Sequence, residues 1–303
     1  MKLKKGHIAA LIVLILLALG YFAYKNYYSS EIGWKVSKEG IMRFKVPDKI
    51  EFSKTPYNEN EYFTIEKIIY QSKDAQIHGL LITPYSLEEL PGLVYLPGAG
   101  VSKESALNVS ATIASLGFIV LVIDQRGIGE TKAPLANIDR DFAGFTDKKE
   151  PFQHLMVYDA LLAARILDKM PGIEKGSIFI AGESMGGRNA MIAAAIGPSI
   201  KGVLAISSSG FGFLPKGDEE KDRFIESLDP DNYVRLIPPR RFVMLHNIQD
   251  QMIPFDSAVA TYKTAGEPKN FFYINETSCK HGYCAGMHTA LKESLYFLAS
   301  AKV

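Results

Sequence analysis

Ile178-Phe179-Ile180-Ala181-Gly182-Glu183-Ser184-Met185-Gly186-Gly187 is the stretch on which the reading of this chain turns. Four apolar or small residues lead into a Gly-x-Ser-x-Gly turn, and an Ala-rich helical pattern follows over 188–196. The five-residue pattern recurs by chance, so its setting between strand and helix is what gives it meaning. A serine used as a nucleophile must project from a sharp strand-to-helix turn, and glycines two residues to either side relieve the crowding there. The helix start then offers free N–H groups and the positive end of its dipole to developing negative charge. Ser184 is therefore the candidate nucleophile, with a plain Gly/Ser-rich turn as the alternative.

Outward from this turn the pattern repeats. Apolar runs at 93–96, 118–123, 177–181, 202–207, 241–245 and 270–274 read as strands; 103–116, 152–170, 188–196, 255–265 and 287–301 read as helices. Near-continuous apolar strands separated by amphipathic helices predict an α/β fold with a mostly parallel, doubly wound sheet covered on both faces. Ahead of them, 62–70 and 76–83 alternate polar and apolar residues around Ser72-Lys73-Asp74-Ala75, which predicts an antiparallel hairpin at the sheet's N-terminal edge. Residues 31–60 read as a connector with a first strand near 41–46, and 61–303 as one catalytic domain. Two stretches break the rhythm, 132–150 and 211–239, and are expected to be lid-like insertions.

With 303 residues, 47% hydrophobic and 22% charged, the chain can bury a large core. Its start differs from the rest. Lys2, Lys4 and Lys5 precede an uncharged run over 8–24, about the minimum for a spanning helix. Residues 1–30 are therefore expected to form a single-pass membrane anchor. Only Lys25 closely follows the run, so the N-terminus should be cytoplasmic and the catalytic domain extracytoplasmic. Secretion after signal cleavage is the competing reading, although Gly20-Tyr21-Phe22-Ala23-Tyr24 offers no small-x-small site. Beyond residue 30 the chain carries 30 Lys and Arg against 33 Asp and Glu, without the basic excess of nucleic-acid binders. Cys279 and Cys284 are placed to close a small disulfide loop, as an oxidising compartment permits, or to remain two free thiols. They lack the spacing and the second ligand pair of a zinc site. No cofactor or metal is expected.

A serine hydroxyl is a weak nucleophile and needs a base to take its proton and an acid to orient that base. In a parallel sheet those groups come from loops at the carboxyl ends of strands. One such loop is His246-Asn247-Ile248-Gln249-Asp250-Gln251-Met252-Ile253-Pro254, and another is Cys279-Lys280-His281-Gly282-Tyr283-Cys284. The order Ser184, Asp250, His281 suits this architecture. Asp256 is a fallback acid inside the following helix, and His288 a rival base at the start of the last one. His7, His78, His154 and His246 read as packing or surface residues.

From about residue 62 onward the chain resembles the α/β-hydrolases, close in style to membrane-linked or secreted members of the esterase and prolyl-oligopeptidase-like peptidase group. Four motifs carry the likeness: Pro97-Gly98-Ala99-Gly100-Val101-Ser102-Lys103, Asp124-Gln125-Arg126-Gly127-Ile128-Gly129-Glu130-Thr131, the Ser184 turn, and the Asp250 and His281 loops. The resemblance implies a serine hydrolase that cleaves carboxylic esters through an acyl-enzyme, with Asp250 as triad acid and His281 in the family's His-Gly-aromatic loop. It also implies an oxyanion hole from the backbone N–H groups of Met185 and Ala99. Ala99 follows from matching Pro97-Gly98 to the family's His-Gly turn; Pro97 departs from that pattern, but the donor is backbone. Asp124 and Arg126 would brace loops, and Glu183 is either a buried acid near the site or a solvated side chain. A small acyl ester is the expected substrate. The alternatives are a peptidase, which would read the amino terminus of short peptides through acids in 132–150, and a non-enzymatic binding protein on the same fold.

Overall fold

The computed structural model describes residues 33–300. The expected anchor over 1–30 lies outside them; among the described residues no helix is long and apolar enough to cross a membrane. Residues 33–35 and 43–45 belong to a small compact unit of their own. Strands β1 (Trp34–Val36) and β2 (Met42–Phe44) pair as a two-stranded sheet.

The main unit is built on nine strands in the order β11-β10-β9-β8-β6-β7-β5-β4-β3. They are β3 (Phe52–Glu59), β4 (Phe63–Ser72), β5 (Ala75–Pro84), β6 (Leu90–Leu96), β7 (Ile119–Ile123), β8 (Ile173–Glu183), β9 (Ile200–Ile206), β10 (Arg241–Asn247) and β11 (Lys269–Ile274). From β7 to β11 every pairing is parallel, while β3, β4 and β5 run antiparallel. β6, β7 and β9 carry runs of fully buried apolar residues because helices cover both faces. On one face α1 (Leu107–Ser115) and α7 (His288–Ala299) close over Leu93, Tyr95, Val120, Val122, Phe179 and Ala181. α3 (Phe152–Leu167) and α4 (Met185–Ile196) pack together against β6 and β8.

The remaining helices are α2 (Ile138–Thr146), α5 (Glu219–Glu226) and α6 (Phe255–Thr264). α2 lies in the stretch read as lacking periodicity; Asn137 starts it by accepting the Arg140 N–H at 2.9 Å. α5 begins at its Asp218 cap, inside the 211–239 stretch that breaks the strand–helix rhythm. A further correction concerns β3, which joins the main sheet although 52–59 reads as connector. All eight of its residues are exposed, so the alternation that betrays a half-buried strand is missing. Finally, α4 starts at Met185 itself, directly after the turn, rather than near Arg188.

Buried ion pairs hold the β7–α2 connection. Asp124 accepts from Lys103 N at 2.7 Å, Lys103 Nζ at 2.8 Å and Glu130 N at 2.9 Å. Arg126 reaches Asp159 at 2.7 Å, Asp74 at 2.6 Å and the Ser72 carbonyl at 3.0 Å, tying the hairpin turn to α3. Both charged residues of the Asp-x-Arg motif therefore act as braces. Removing one member of a buried pair leaves the other charge uncompensated. Arg126→Met is accordingly expected to lower the unfolding free energy by about 3–5 kcal/mol, read from the midpoint of urea denaturation.

Candidate active site

β8 delivers Ser184 to the carboxyl edge of the sheet with φ 53° and ψ −121°. Such a conformation costs a non-glycine residue about 1–3 kcal/mol, so its surroundings must impose it. They do so through three hydrogen bonds. Ser184 N donates to Ile206 O at 3.0 Å, and Ser184 O accepts from Arg188 N at 3.1 Å and Ser208 Oγ at 2.8 Å. The flanking glycines answer a packing demand: a Cβ on Gly186 would lie 2.0 Å from Leu96 O, and one on Gly182 2.5 Å from the Gly186 backbone.

This contact brings the first strand–helix loop to the serine. A Cβ on Gly98 would sit 3.5 Å from Ser184 Cβ. Gln125 Nε2 donates to Pro97 O, and Asn189 Nδ2 donates to Gln125 Oε1 at 2.6 Å, so helix α4 holds the loop through a buried amide relay. Among the described residues, neither Ala99 N–H nor Met185 N–H donates to another backbone group.

Asp250 and His281 meet across 31 residues. His281 Nδ1 lies 3.0 Å from both Asp250 oxygens, while Asp250 Oδ1 also accepts Met252 N and Ile253 N at 2.9 Å each. Asn247, the last residue of β10, draws the two loops together: its Nδ2 donates to Glu276 O at 2.7 Å and to Cys279 O, and its Oδ1 accepts Glu276 N at 3.0 Å. Gln251 N donates to Lys280 O at 2.8 Å. Cys279 and Cys284 are joined, closing the loop around His281.

The hydrogen bond from Asp250 raises the His281 pKa above its ordinary 6.5 despite partial burial. Burial alone would push Asp250 up, but the His281 bond and the Ile253 and Met252 N–H groups outweigh it and hold its carboxyl low. The two directions agree: the pair favours a carboxylate beside an easily protonated imidazole.

His281 Nε2 is buried with no hydrogen-bond partner, and no hydrogen bond links it to Ser184 Oγ. Neither His288 nor Asp256 pairs with Asp250 or His281 among the described residues, while His246 Nε2 stands 3.8 Å from Asp250 Oδ2. His288 is exposed as the first residue of α7, and Asp256 is exposed in the first turn of α6. His246 packs on Phe255 with Nε2 3.0 Å from Ile253 O, and His154 is buried with Nε2 2.7 Å from Ser227 Oγ. No cluster of three or more His, Cys, Asp or Glu side chains among the described residues is arranged to hold a metal ion.

Glu183 turns inward. Its Oε2 accepts Tyr283 N at 3.0 Å and Tyr95 Oη at 3.3 Å, gripping the residue two places after His281. Gln125, Asn189 and Asn247 escaped the sequence reading, because their partners lie 28 or more residues away and no local pattern marks them. The negative charge of Glu183 favours the His281 imidazolium. Glu183→Gln keeps an acceptor but removes that charge, so the His281 midpoint should fall, by under about 1 pH unit. NMR titration of its ring protons checks this, and an unmoved midpoint would show that Glu183 acts on the backbone alone.

Comparison with known proteins shows the family to which the chain belongs. Residues 33–211, more than half of the chain, match the family described as Acetyl xylan esterase (AXE1). The match takes in Ser184 and ends before Asp250 and His281. Among curated proteins, an "Acyltransferase drtE" of Aspergillus calidoustus is 27% identical over 175 residues, 57% of this chain and 50% of that one. The chain thus matches about half the length of that relative. Acetyl xylan esterase 1 from a Thermoanaerobacterium species superposes with a TM-score of 0.64 at 19% identity, over 84% of this chain and 89% of that one. An acetyl xylan esterase from Paenibacillus sp. R4 gives 0.67 at 20% identity with the same coverage. Est1E from Butyrivibrio proteoclasticus, solved with ferulic acid, gives 0.59 at 18%, over 77% and 99%. At these identities the superpositions show the fold: a mostly parallel α/β-hydrolase sheet. On the family match, the chain belongs to the acetyl xylan esterase (AXE1) family.

Proposed function

We propose that this chain is a serine esterase that removes short acyl groups from carboxylic esters. Ser184 Oγ attacks the acyl carbonyl carbon while His281 Nε2 takes its proton, and Asp250 steadies the resulting imidazolium. The N–H groups of Met185 and Ala99 receive the oxyanion. Collapse of the tetrahedral intermediate expels the alcohol, which takes the proton from His281 and leaves an acyl-Ser184. A water, deprotonated by His281, then releases the carboxylic acid and restores Ser184.

The observation that carries this reading is the state of His281. One ring nitrogen is held by Asp250 while the other is buried without a partner, on a loop that Glu183 ties to the residue next to Ser184. A buried nitrogen left without a hydrogen bond is unfavourable unless a function uses it. Family membership favours ester over amide as the bond cleaved. Short peptides are further disfavoured by Asp141, the buried acid of 132–150. Its carboxylate already accepts Phe152 N at 3.1 Å and Gln153 N at 3.2 Å at the start of α3.

Turnover of p-nitrophenyl acetate beside aminoacyl p-nitroanilides tests the assignment. Ester cleavage should dominate, and Ser184→Ala should lower kcat/KM by at least about 10³-fold; amide-only activity would refute the reading. The acid limb of kcat/KM should lie above pH 6.5, because the base must be neutral and its pKa is raised. Asp250→Asn should move that limb to lower pH and cut kcat by about 10⁴-fold, whereas His288→Ala should leave both unchanged.

The basic start and uncharged run of residues 1–30 support a further element of the proposal, a membrane anchor with the catalytic domain outside the cytoplasm. Protease added to intact cells should then digest the domain, and protection until lysis would reverse the topology.

A further inference from the structure

Two partly or fully buried arginines of the main unit are satisfied by the protein itself. Arg126 is paired with Asp159 and Asp74. Arg240 donates to backbone carbonyls, among them Ala195 O at 3.1 Å, Gly197 O at 3.1 Å and Leu236 O at 3.0 Å. Arg188 is different. Its guanidinium lies 5.0 Å from the centre of the Phe211 ring, and it has no hydrogen bond or ion pair among the described residues. Burial lowers its pKa, and Asp229 is the acid whose charge opposes that effect. Asp229, however, is already committed. Its Oδ1 accepts Phe211 N at 2.8 Å and Asp231 N at 3.0 Å, and its Oδ2 accepts Phe213 N at 3.1 Å. Arg188 is only half-buried, so its guanidinium keeps contact with solvent and is open to an anion from outside.

The position of Arg188 gives that opening a meaning. Its N–H closes the first helical bond onto Ser184 O, so its side chain emerges one turn beyond the nucleophile on the neighbouring face. With Met185, Asn189, Gln153, Phe211 and Leu228 it lines a cavity of about 50 Å³, room for a carboxylate or one or two waters. Met185 joins this cavity to the nucleophile turn, since it directly follows Ser184. The 211–213 segment that carries Phe211 is held over Arg188 by Asp229 and Asp231, whose Oδ2 accepts Gly212 N at 3.1 Å. One wall is thus an aromatic ring, and the guanidinium packed on it offers N–H donors in a planar fork.

The geometry points to Arg188 as a specificity residue that binds a carboxylate carried by the ester substrate, within one helical turn of the reacting carbonyl. This rests on the esterase reading above, whose acyl transfer it leaves unchanged. A charge-assisted, bidentate contact of this kind is worth ten- to a hundredfold in affinity.

Two matched pairs of esters test it and place the charge on either side of the scissile bond. One pair is mono-p-nitrophenyl succinate and its methyl ester; the other is 4-acetoxybenzoate and its methyl ester. The unmodified protein should favour the anionic member of at least one pair by about tenfold or more in kcat/KM. Arg188→Gln should abolish that ratio through KM, and Arg188→Lys should restore part of it. Ratios near one in the unmodified protein, or ratios that Arg188→Gln leaves alone, would overturn the proposal and reduce Arg188 to packing against Phe211. Calorimetric binding of succinate to Ser184→Ala separates the two readings. No ester turnover with succinate binding that Arg188→Gln removes would sink the esterase reading and keep the anion site. Turnover of the neutral esters without succinate binding would do the reverse, and absence of both would end both.

Discussion

The approach of Gly186 to the end of β6 is the contact on which the site depends. A side chain at that glycine would meet Leu96 O at 2.0 Å and Pro97 O at 2.4 Å, and one at Gly187 would meet Ser208 Cβ at 2.6 Å. Without Cβ atoms there, α4 starts immediately after β8 and lies against the ends of two neighbouring strands. Ser184 is then forced into its strained backbone conformation and set beside Gly98. The Met185 N–H at the helix start and the Ala99 N–H in the first loop are left without a backbone acceptor. The buried relay from Asn189 through Gln125 to Pro97 keeps that arrangement from drifting.

The acid–base half is assembled by different means. No close backbone packing fixes Asp250 against His281; polar groups at the strand ends do. Asn247 spans to Glu276 and Cys279, Gln251 to Lys280, and Glu183 to Tyr283, so the β8, β10 and β11 ends are cross-linked by hydrogen bonds. Because Glu183 is adjacent to Ser184 in the chain, the loop bearing His281 is tied to the Ser184 turn itself. A loop held in this way has less freedom to lose on ordering than one free to move.

Charge is distributed unevenly around this frame. The connection after β7 neutralises its buried ions locally, with Lys103 between Asp124, Glu104 and Glu130, and Arg126 between Asp159 and Asp74. The helix after Ser184 carries Arg188, whose guanidinium has no hydrogen bond or ion pair among the described residues and faces Phe211, with Asp229 as the acid whose charge acts on it.

Much of this was legible in the chain itself. The apolar runs and helical periodicities located the strands and helices of the main sheet. The Gly-x-Ser-x-Gly turn marked Ser184, and the strand-end rule brought Asp250 and His281 into view. Those signals are local: they depend on side chains within a turn or a strand of each other. β3 stayed hidden because an exposed edge strand has no alternation to show, and α2 because its short charged sequence is stabilised by capping rather than by an apolar stripe. Only the tertiary structure set His281 rather than His288 against Asp250, turned Glu183 inward, and left the Arg188 guanidinium without a hydrogen bond beside a cavity. Each of those outcomes depends on groups that meet across tens of residues, up to 100 in the case of Glu183 and Tyr283. Pairing at such range is set by how the strand ends converge, and no neighbouring residue encodes it.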